Sequence, residues 1–423
     1  MKTKAVRLYG KNDLRLEEFE LPPIGDGEIL ARIVSDSICM SSYKAAKQAE
    51  DHKRIPDDVS NAPIIIGHEF CGEVVQVGER WSEQFEAGDR FSIQPALNYE
   101  EGPVGLLSAP GYSYAHIGGD AQHVIIPEEV MTQDCLLPFQ GEAFYLGSLA
   151  EPMSCVVGSF HASYHTRPGS YEHEMGIVEG GAMALLAGVG PMGLGAIDYA
   201  IHCDRKPGLL VVTDIDAERL ERAAEIYTVE EARQNGVELV YVNTGSPDFD
   251  ENTLRSLSPD GQGFNDVFVF APVRQLVEQA DRIMAHDGCL NFFAGPTDPG
   301  FSAEFNFFNV HYAATHVVGT SGGNTADMIE SLKLMEEGRV NPSTMITHVG
   351  GLDAVIDTTL RLPEIAGGKK LIYNNVRMPL VALSDLDQHE DDFYKTLAKI
   401  VKKHNGLWSP EAERHVLANA PAI

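Results

Sequence analysis

The first 130 residues alternate between apolar and polar positions with a period of two, as in antiparallel strands that bury one face. Glycine and proline clusters separate the alternating runs, as expected where strands bend or turn. The runs are residues 5–8, 14–19, 28–34, 64–78 and 121–127. The stretch between the last two runs, residues 95–119, is rich in Gly, Pro and Tyr and predicts a long loop. We therefore expect a mostly β first domain.

From about residue 145 the pattern changes to short apolar runs that alternate with runs of helical period. Strands that alternate with helices predict a parallel, doubly wound α/β sheet. The predicted strands are 184–189, 209–214, 239–242, 266–270, 290–294 and 317–319. The predicted helices are 193–202, 217–227, 273–284 and 327–337.

The remaining segments complete the predicted organisation into domains. Residues 166–181 are polar and Gly-rich, and predict a loop that precedes the α/β domain. Residues 346–349 and 369–373 predict strands that return to the first domain, and 391–404 predicts a helix in the tail. The expected division is a first, mostly β part over 1–165, an α/β domain over 166–340, and a return to the first part with a helical tail over 341–423.

A glycine pattern, Gly188-x-Gly190-x-x-Gly193, stands between the first predicted α/β strand and the helix after it. This junction presents free backbone N–H groups and the positive end of a helix, and glycines let a dinucleotide pyrophosphate approach closely. The pattern alone is weak, and its position between a strand and a helix strengthens it. The cofactor-binding residues predicted here are Gly188, Gly190, Pro191, Met192 and Gly193, with Asp214 and Arg219 further along the chain.

Asp214 ends the second predicted α/β strand, where an acid accepts the adenosine ribose hydroxyls and repels a 2′-phosphate. Asp216 adds to this preference for NAD(H). Arg219 weakens it, because an arginine there can reach the 2′-phosphate of NADP(H); it also fits a plain surface position. We therefore favour NAD(H) over NADP(H).

Composition limits the classes of partner. Acidic residues outnumber basic ones 62 to 32, for a net charge of −30, which argues against binding to nucleic acid or an anionic membrane. An anionic substrate would need a local basic patch. The six cysteines contain no C-x-x-C pair, and the first residues show strand-like alternation rather than a secretion signal. No apolar stretch is long enough to span a membrane, so we expect a cytoplasmic protein.

Cys39 and the pair His68-Glu69 form a second chemical signal. Thiolate, imidazole and carboxylate all suit Zn²⁺, and a catalytic zinc keeps three protein ligands and one open position. Each residue alone also fits a structural role: a buried small side chain, a hydrogen-bonded core histidine and a surface acid. The three together favour a metal site.

The residues around this set resemble the zinc-dependent medium-chain alcohol and polyol dehydrogenases. Gly67-His68-Glu69-Phe70-Cys71-Gly72-Glu73-Val74 is similar to the G-H-E-x-x-G-x-V signature of that family, and Cys39 lies where the family has its first zinc ligand. Further matches in family order are 88–90, 118–124, 150–154, the cofactor glycines and 319–323. The resemblance covers about residues 1–375. It implies a GroES-like catalytic domain and a Rossmann nucleotide-binding domain.

The resemblance also implies roles for individual residues. Cys39 and His68 match the ligands shared across the family, and Glu69 and Glu151 match two acids that bind the metal or its water in polyol dehydrogenases. Ser41 matches the hydroxyl that relays the proton of the alcohol. The expected metal is one catalytic Zn²⁺, held by Cys39, His68, Glu69 and Glu151, with Ser41, Glu69 and Glu151 in catalytic roles.

Two departures from the family pattern change this picture. The family has Asp after the relay hydroxyl where this chain has Ser42, which puts the support of the metal ligands in doubt. The structural zinc lobe of the family needs four cysteines, and residues 92–127 contain none, so we expect no structural zinc. The same stretch holds Tyr99, Tyr112 and Tyr114, which either face the substrate or pack within the loop.

The N-terminal start, the 166–181 insert and the long tail are similar to a branch of the family that interconverts L-sorbose 1-phosphate and D-glucitol 6-phosphate. This likeness implies an oxidoreductase that acts on a sugar phosphate, and family members are usually dimers or tetramers. The cations that follow Cys39 are candidates for the phosphate, as are two residues further on: Lys44, Lys47, Lys53, Arg54, Arg339 and His348. A dehydrogenase of a non-phosphorylated polyol remains the near alternative, and a non-enzymatic NAD(P)-binding regulator the distant one.

Overall fold

The computed structural model describes the backbone of residues 1–423 and every side chain except that of Glu251. The chain forms two compact units, one of Met1–Glu151 with Pro342–Ile423 and the other of Pro152–Asn341. In the described chain, no helix combines the length and the apolar character needed to cross a bilayer.

The elements are numbered in chain order. The strands are β1 (Lys2–Gly10), β2 (Asp13–Glu20), β3 (Ile29–Ile38), β4 (Ile64–Ile65), β5 (Phe70–Val77), β6 (Arg90–Ile93), β7 (His123–Ile126), β8 (Leu136–Pro138), β9 (Tyr164–Thr166), β10 (His173–Met175), β11 (Ala182–Leu186), β12 (Leu209–Asp214), β13 (Glu238–Asn243), β14 (Phe264–Val269), β15 (Met284–Phe292), β16 (His316–Val318), β17 (Ile346–Gly351), β18 (Lys369–Tyr373) and β19 (Val381–Ala382). The helices are α1 (Met40–Gln48), α2 (Glu128–Thr132), α3 (Phe144–Ser148), α4 (Ala150–Ala162), α5 (Pro191–His202), α6 (Ala217–Ile226), α7 (Val229–Gln234), α8 (Glu251–Leu257), α9 (Arg274–Ile283), α10 (Phe307–Tyr312), α11 (Thr325–Glu336), α12 (Val355–Leu360), α13 (Asp392–Lys403) and α14 (Pro410–Asn419).

The first unit is built on a bent, mainly antiparallel sheet. Its strand order is β19-β17-β18-β3-β5-β6-β8, with β7 added against β3, and β17–β18 is its parallel pair. A second sheet has the order β2-β1-β4. Alternate residues of β3, β5 and β7 bury their side chains in a common core, for example Ile33, Val74 and Val124. The period-two pattern of the first 130 residues therefore predicted the β character of this unit correctly.

β3 is the strand that positions Cys39 beside His68 and Glu69. It is the longest strand of the chain's described residues at 10 residues, and two register shifts against β5 bend it. It ends at Ile38, and Cys39 then caps α1 in an extended conformation. His68 and Glu69 lie just before β5, the neighbour of β3, so sheet pairing brings the two sequence signals together.

The second unit is a six-stranded parallel sheet of order β13-β12-β11-β14-β15-β16. Its first strand in sequence lies in the middle, with helices connecting the strands on either side. This is the doubly wound topology, in which ligands bind at the carboxyl ends of the strands where the strand order reverses. All six predicted strands are present, and β12 has the predicted bounds. The predicted parallel α/β architecture is confirmed.

The predicted loop over 166–181 is wrong in part. The structure forms an antiparallel hairpin there, in which β10 pairs with β9 from His173↔Thr166 to Met175↔Tyr164. The side chains of β10 are exposed, so the strand has no apolar alternation that a sequence pattern would show. Hydrogen bonds hold the hairpin instead: the Thr166 N–H and hydroxyl each donate to a carboxylate oxygen of Asp287 at 2.8 Å.

The C-terminal tail, part of the first unit, adds a buried carboxylate to its apolar contacts with α3 and β18. Glu413 in α14 is 3 % exposed and accepts hydrogen bonds from the backbone N–H groups of Phe144 at 2.7 Å and Tyr145 at 2.8 Å. The Tyr373 hydroxyl donates to Glu413 at 3.0 Å and accepts from the Trp408 indole at 2.8 Å. Phe144 and Tyr145 open α3, whose free N–H groups need acceptors. The tail therefore caps the helix that precedes Glu151.

Substitution Glu413→Gln should lower the thermal midpoint by several degrees. An amide keeps one acceptor oxygen and turns an N–H donor toward groups that themselves donate, at a cost of about 2 kcal/mol. The matched control is Glu411→Gln in the same helix, because Glu411 is bonded to Lys403 on the surface and should shift the midpoint by about one degree or less. Scanning calorimetry of both variants measures this. Equal shifts for the two would contradict the proposed capping role.

Candidate active site

Cys39, His68 and Glu69 form a compact group of possible metal ligands. One ligand atom from each lies within 4.8 Å of the other two. His68 and Glu69 are buried, at 4 % and 1 % exposure, and Cys39 is partly exposed. Among the described residues this is the one such group of three or more His, Cys, Asp or Glu side chains. The donors are one sulfur, one imidazole nitrogen and one carboxylate oxygen, which fits Zn²⁺.

Backbone hydrogen bonds fix the turn that carries His68 and Glu69. The Glu69 N–H donates to the Asp36 carboxylate at 3.1 Å, and the Ser37 N–H donates to the Glu69 carbonyl at 3.1 Å. On the other side the Asp120 N–H donates to the Ile66 carbonyl at 2.9 Å. The turn is therefore attached both to the end of β3 and to the loop before β7.

Asp36 and Asp120 form a buried pair beside this turn, and both are about 1 % exposed or less. Burial raises the pKa of Asp120 to about 8, and burial and the neighbouring Asp120 and Glu69 carboxylates raise the pKa of Asp36 well above its usual range. The pair therefore holds at least one proton at neutral pH.

Lys369, the first residue of β18, makes an ion pair with Glu69. The Lys369 ammonium donates to one carboxylate oxygen of Glu69, and the Ser37 hydroxyl donates to the other. Both side chains of the ion pair are buried, at 8 % and 1 % exposure. Sequence reasoning missed Lys369. The available signal was a pair of charged residues, Lys369-Lys370, at the start of an apolar strand.

The pKa values show how burial and charge compete at the site. Burial raises the pKa of the Cys39 thiol and lowers the pKa of His68, so each favours its neutral form without a metal. Burial alone would raise the pKa of Glu69, but the charges of Lys369 and His68 lower it. Burial, followed by the charge of Glu69, raises the pKa of Glu151 to about 7. Such opposed shifts within one cluster are typical of functional sites.

Glu151, in the first turn of α4, interacts electrostatically with all three members of the compact group. It lies outside the set whose ligand atoms are within 4.8 Å of one another. The structure thus brings three of the four predicted ligands together and places the fourth beside them.

Ser41, Ser42 and Tyr112 surround the ligand group. The Ser41 hydroxyl lies 3.4 Å from the Cys39 sulfur. The Ser42 hydroxyl lies 3.5 Å from Nδ1 of His68, so a neutral hydroxyl occupies the place of the Asp that the family pattern has there. The Tyr112 hydroxyl lies 3.3 Å from Nε2 of His68. Of the three loop tyrosines, Tyr112 is therefore the one that faces the site.

Close packing brings Tyr112 to the site. A side chain on Gly111 would place its Cβ 1.9 Å from the Gly67 carbonyl oxygen, so glycine is required where the two loops cross. Tyr99 instead bonds to Glu101, and Tyr114 packs against the core of the first unit.

The predicted cofactor loop has the geometry of a helix N-terminus built for close approach. Gly190 caps α5, and Pro191 and Met192 begin it. A Cβ on Gly193 would lie 2.2 Å from the Gly188 carbonyl oxygen, which requires glycine for the turn. A Cβ on Gly190 would meet no protein atom within 4 Å, so that face is open. Open space beside free N–H groups fits a bound pyrophosphate.

Asp214, Asp216 and Arg219 lie at the end of β12 and the start of α6. The Asp216 carboxylate caps α6 by accepting from the Arg219 N–H at 3.1 Å, and it also pairs with the Arg219 guanidinium at 3.3 Å. The Asp214 carboxylate accepts from the Asp216 N–H at 3.1 Å. Arg219, the residue that weakened the predicted preference for NAD(H), is thus paired with Asp216.

The candidates for phosphate binding lie in different surroundings. Arg339 pairs with Asp204 and bonds the His202 carbonyl. His348 bonds the Thr347 hydroxyl, and burial and the Lys370 charge lower its pKa to about 4. The Lys47 ammonium lies over the Tyr43 ring at 5.5 Å. The rest, Lys44, Lys53 and Arg54, form no ion pair among the described side chains.

Comparison with known proteins agrees with the fold. Residues 25–136 match the alcohol dehydrogenase GroES-like domain, and residues 191–337 match the zinc-binding dehydrogenase family. The L-sorbose 1-phosphate reductase of Klebsiella pneumoniae is 50 % identical over 421 residues, covering 100 % of this chain and 98 % of that protein. The mannitol-1-phosphate 5-dehydrogenase of Aliivibrio fischeri is 50 % identical over 417 residues, covering 98 % and 97 %.

A solved structure shows the same fold. A zinc-binding dehydrogenase from Sinorhizobium meliloti bound to NADP superimposes with a TM-score of 0.69 at 20 % identity, covering 88 % of this chain and 99 % of that chain. The chain belongs to the zinc-dependent alcohol and polyol dehydrogenases. It is an oxidoreductase of that zinc-binding family, with a GroES-like domain and a Rossmann domain.

Replacing one member of the buried acid pair should change how stability depends on pH. The folded Asp36–Asp120 pair binds more protons than the same two groups in the unfolded chain between about pH 4 and pH 8, so the contribution of this pair to stability falls as pH rises through that window. Asp120→Asn removes one of the two carboxyls. We expect its thermal midpoint to gain a few degrees relative to wild type between pH 5 and pH 8. A difference that stays constant with pH would contradict the shared proton.

Proposed function

We propose that this chain interconverts a ketose phosphate and a polyol phosphate by hydride transfer, with L-sorbose 1-phosphate and D-glucitol 6-phosphate as the leading pair. The buried Cys39/His68/Glu69 group carries the proposal, because it supplies the donors of a catalytic zinc. Two relatives that are 50 % identical over nearly the whole chain both have names that specify a phosphorylated substrate. The donor group fits a polyol dehydrogenase of either kind, and the names of the two relatives favour a sugar phosphate over a free polyol.

The metal in this proposal is a single zinc ion held by Cys39, His68 and Glu69, with Glu151 as the acid that binds the metal or its water. A count of one agrees with the described residues, which contain a single such donor group, and with the lack of cysteine in residues 92–127. A carboxylate-rich set suits a polyhydroxylated substrate whose oxygen atoms compete with water.

The proposed mechanism divides the chemistry between the bound groups and the chain. Zinc supplies a Lewis acid for the carbonyl oxygen, and the nicotinamide supplies or accepts the hydride. The chain positions these groups and excludes water: His68 and Glu69 are almost fully buried, and fixed dipoles act more strongly in a dry site. Ser41 Oγ, beside the Cys39 sulfur, is the group that moves the proton of the alcohol.

NAD(H) is the proposed cofactor. Asp214 ends β12, where the adenosine ribose of a dinucleotide lies in this fold. The Arg219 guanidinium, which would favour a 2′-phosphate, is paired with Asp216. An acid at the ribose position, with the neighbouring Arg219 paired to Asp216, supports NAD(H).

Substitution Asp214→Ser should raise the KM for NADH at least about tenfold, because the carboxylate no longer accepts the ribose hydroxyls. The KM for NADPH should stay equal or fall, because the repulsion of the 2′-phosphate is removed. Asp216→Ser releases Arg219 and should shift preference toward NADPH by itself. Steady-state kinetics with both cofactors measure these shifts, and an unchanged NADH to NADPH ratio in both variants would contradict the assignment.

A second candidate substrate is mannitol 1-phosphate, because the Aliivibrio relative is named for oxidation of that compound at carbon 5. The two candidates differ in geometry. A ketose 1-phosphate has its carbonyl next to the phosphorylated carbon, whereas carbon 5 of mannitol 1-phosphate lies at the other end of the sugar.

A substrate panel tests the proposed function. We expect kcat/KM for L-sorbose 1-phosphate to exceed that for L-sorbose by at least about 100-fold, with mannitol 1-phosphate and glucitol 6-phosphate tested in the oxidative direction. Cys39→Ser, which replaces the sulfur donor, is the control and should lose zinc and activity together. Equal kcat/KM values for phosphorylated and free sugars would contradict the assignment of a sugar phosphate as substrate and favour a free-polyol dehydrogenase.

A further inference from the structure

A group of cations lies on the helix that Cys39 caps and in the loop after it. Lys44 is on α1, and Lys53 and Arg54 follow it in the next loop. Between them His52 is half-buried, and burial followed by the charges of Arg54, Lys53 and Lys44 lowers its pKa to about 4. All three cations therefore act on the same imidazole of the first unit.

Tyr112 connects this group to the metal ligands. Its ring stacks on His52 with centroids 5.8 Å apart and planes 9° apart. The Arg54 guanidinium carbon lies 5.8 Å from the centroid of the same ring. At the other end of the side chain the Tyr112 hydroxyl lies 3.3 Å from Nε2 of His68. One tyrosine ring thus separates Arg54 from a proposed zinc ligand.

Arg54 is held in place without using up its hydrogen-bonding capacity. Its Nη1 donates to the Leu107 carbonyl at 2.9 Å, and its own carbonyl accepts from the Ser113 hydroxyl at 2.7 Å. Its backbone N–H lies 3.3 Å from Nδ1 of His52. A guanidinium has five N–H donors in a fixed plane, so most of them stay available for a ligand.

The acids just before Lys53 and Arg54 pair with another lysine. Asp51 is the acid nearest to Arg54 in the preceding turn, and it is paired with Lys11 at 2.5 Å. Among the side chains that the structure describes, no carboxylate lies within ion-pair distance of Lys44, Lys53 or Arg54. The chain has a net charge of −30, so three cations without an ion pair near the proposed metal ligands are unusual and indicate an anionic ligand.

We propose that Arg54, with Lys44 and Lys53 beside it, binds the phosphate of the sugar substrate. This inference rests on the proposed function and names the part of the site that distinguishes a phosphorylated sugar from a free one. A guanidinium matches a phosphate through two parallel N–H···O bonds, and the two lysines add charge without fixing geometry. Tyr112 sets the spacing between the phosphate and the carbon that faces the metal ligands.

The test is the preference for L-sorbose 1-phosphate over L-sorbose, taken as the ratio of their kcat/KM values. Arg54→Gln should lower this ratio at least about 30-fold, mainly through the KM of the phosphorylated sugar. Arg54→Lys keeps the charge but loses the planar fork, and should fall between Arg54→Gln and wild type. Lys2→Gln is the control, because the Lys2 ammonium pairs with Glu18 on the surface at 2.9 Å, and it should keep the ratio of wild type.

Two further measurements separate phosphate binding from a structural role of Arg54. Inorganic phosphate should inhibit wild type competitively against L-sorbose 1-phosphate, and its inhibition constant should rise at least about tenfold in Arg54→Gln. Zinc content should be equal in the two proteins.

The outcomes are distinguishable. If wild type prefers the phosphorylated sugar and Arg54→Gln keeps that preference, the phosphate site lies elsewhere and this inference alone is wrong. If Arg54→Gln slows both sugars equally or loses zinc, Arg54 supports the loop and the inference is overturned. If wild type uses both sugars equally, the proposed function and this inference fail together.

Discussion

The accumulation of negative charge in a buried place is the constraint on which the candidate site depends. Cys39, Glu69 and Glu151 are each anionic as metal ligands, and burial opposes all three ionisations. Taking charges out of water is costly unless they are paired. The Lys369 ammonium provides one positive charge, and a divalent ion would balance the other two. The donor set and Lys369 therefore form one electrostatic unit.

The sheet of the first structural unit brings the metal-donor residues and Lys369 together. β3 and β5 are neighbours in the sheet, and the end of β3 lies beside the start of β5. Cys39, just after β3, therefore lies close to His68 and Glu69, just before β5. β18 pairs with β3 on its other side, and its first residue is Lys369. The return of the chain after the nucleotide-binding unit thus has a chemical consequence, because it delivers the counter-charge of Glu69.

The sequence predicted the parts of the molecule that repeat a local rule. Period-two alternation indicated the β unit, and strand–helix alternation indicated the parallel sheet, with β12 correct at both ends. Cys39, His68 and Glu69 were found because their residue types and family motif carry chemistry by themselves. The polar hairpin of β9 and β10 was missed, because hydrogen bonds to Asp287 hold it rather than an apolar face.

Contacts between distant parts of the chain could not be predicted in the same way. Nothing local to Lys369 or Glu413 shows that one pairs with Glu69 and the other caps α3. In the sequence nothing distinguishes Tyr112 from the other two loop tyrosines. It lies against His68 because the loop crosses at Gly111 and Gly67. The same holds for Arg54, whose relation to the site depends on the position of Tyr112.

The central claim is that Cys39 and His68, with carboxylate oxygens, hold a single zinc ion. X-ray absorption at the zinc edge of the purified protein tests it most directly, together with the zinc to protein ratio. We expect about one zinc per chain, with one sulfur at about 2.3 Å and the remaining nitrogen or oxygen neighbours at about 2.0–2.2 Å. A spectrum without sulfur, or one with several sulfur neighbours, would contradict the assignment of the site.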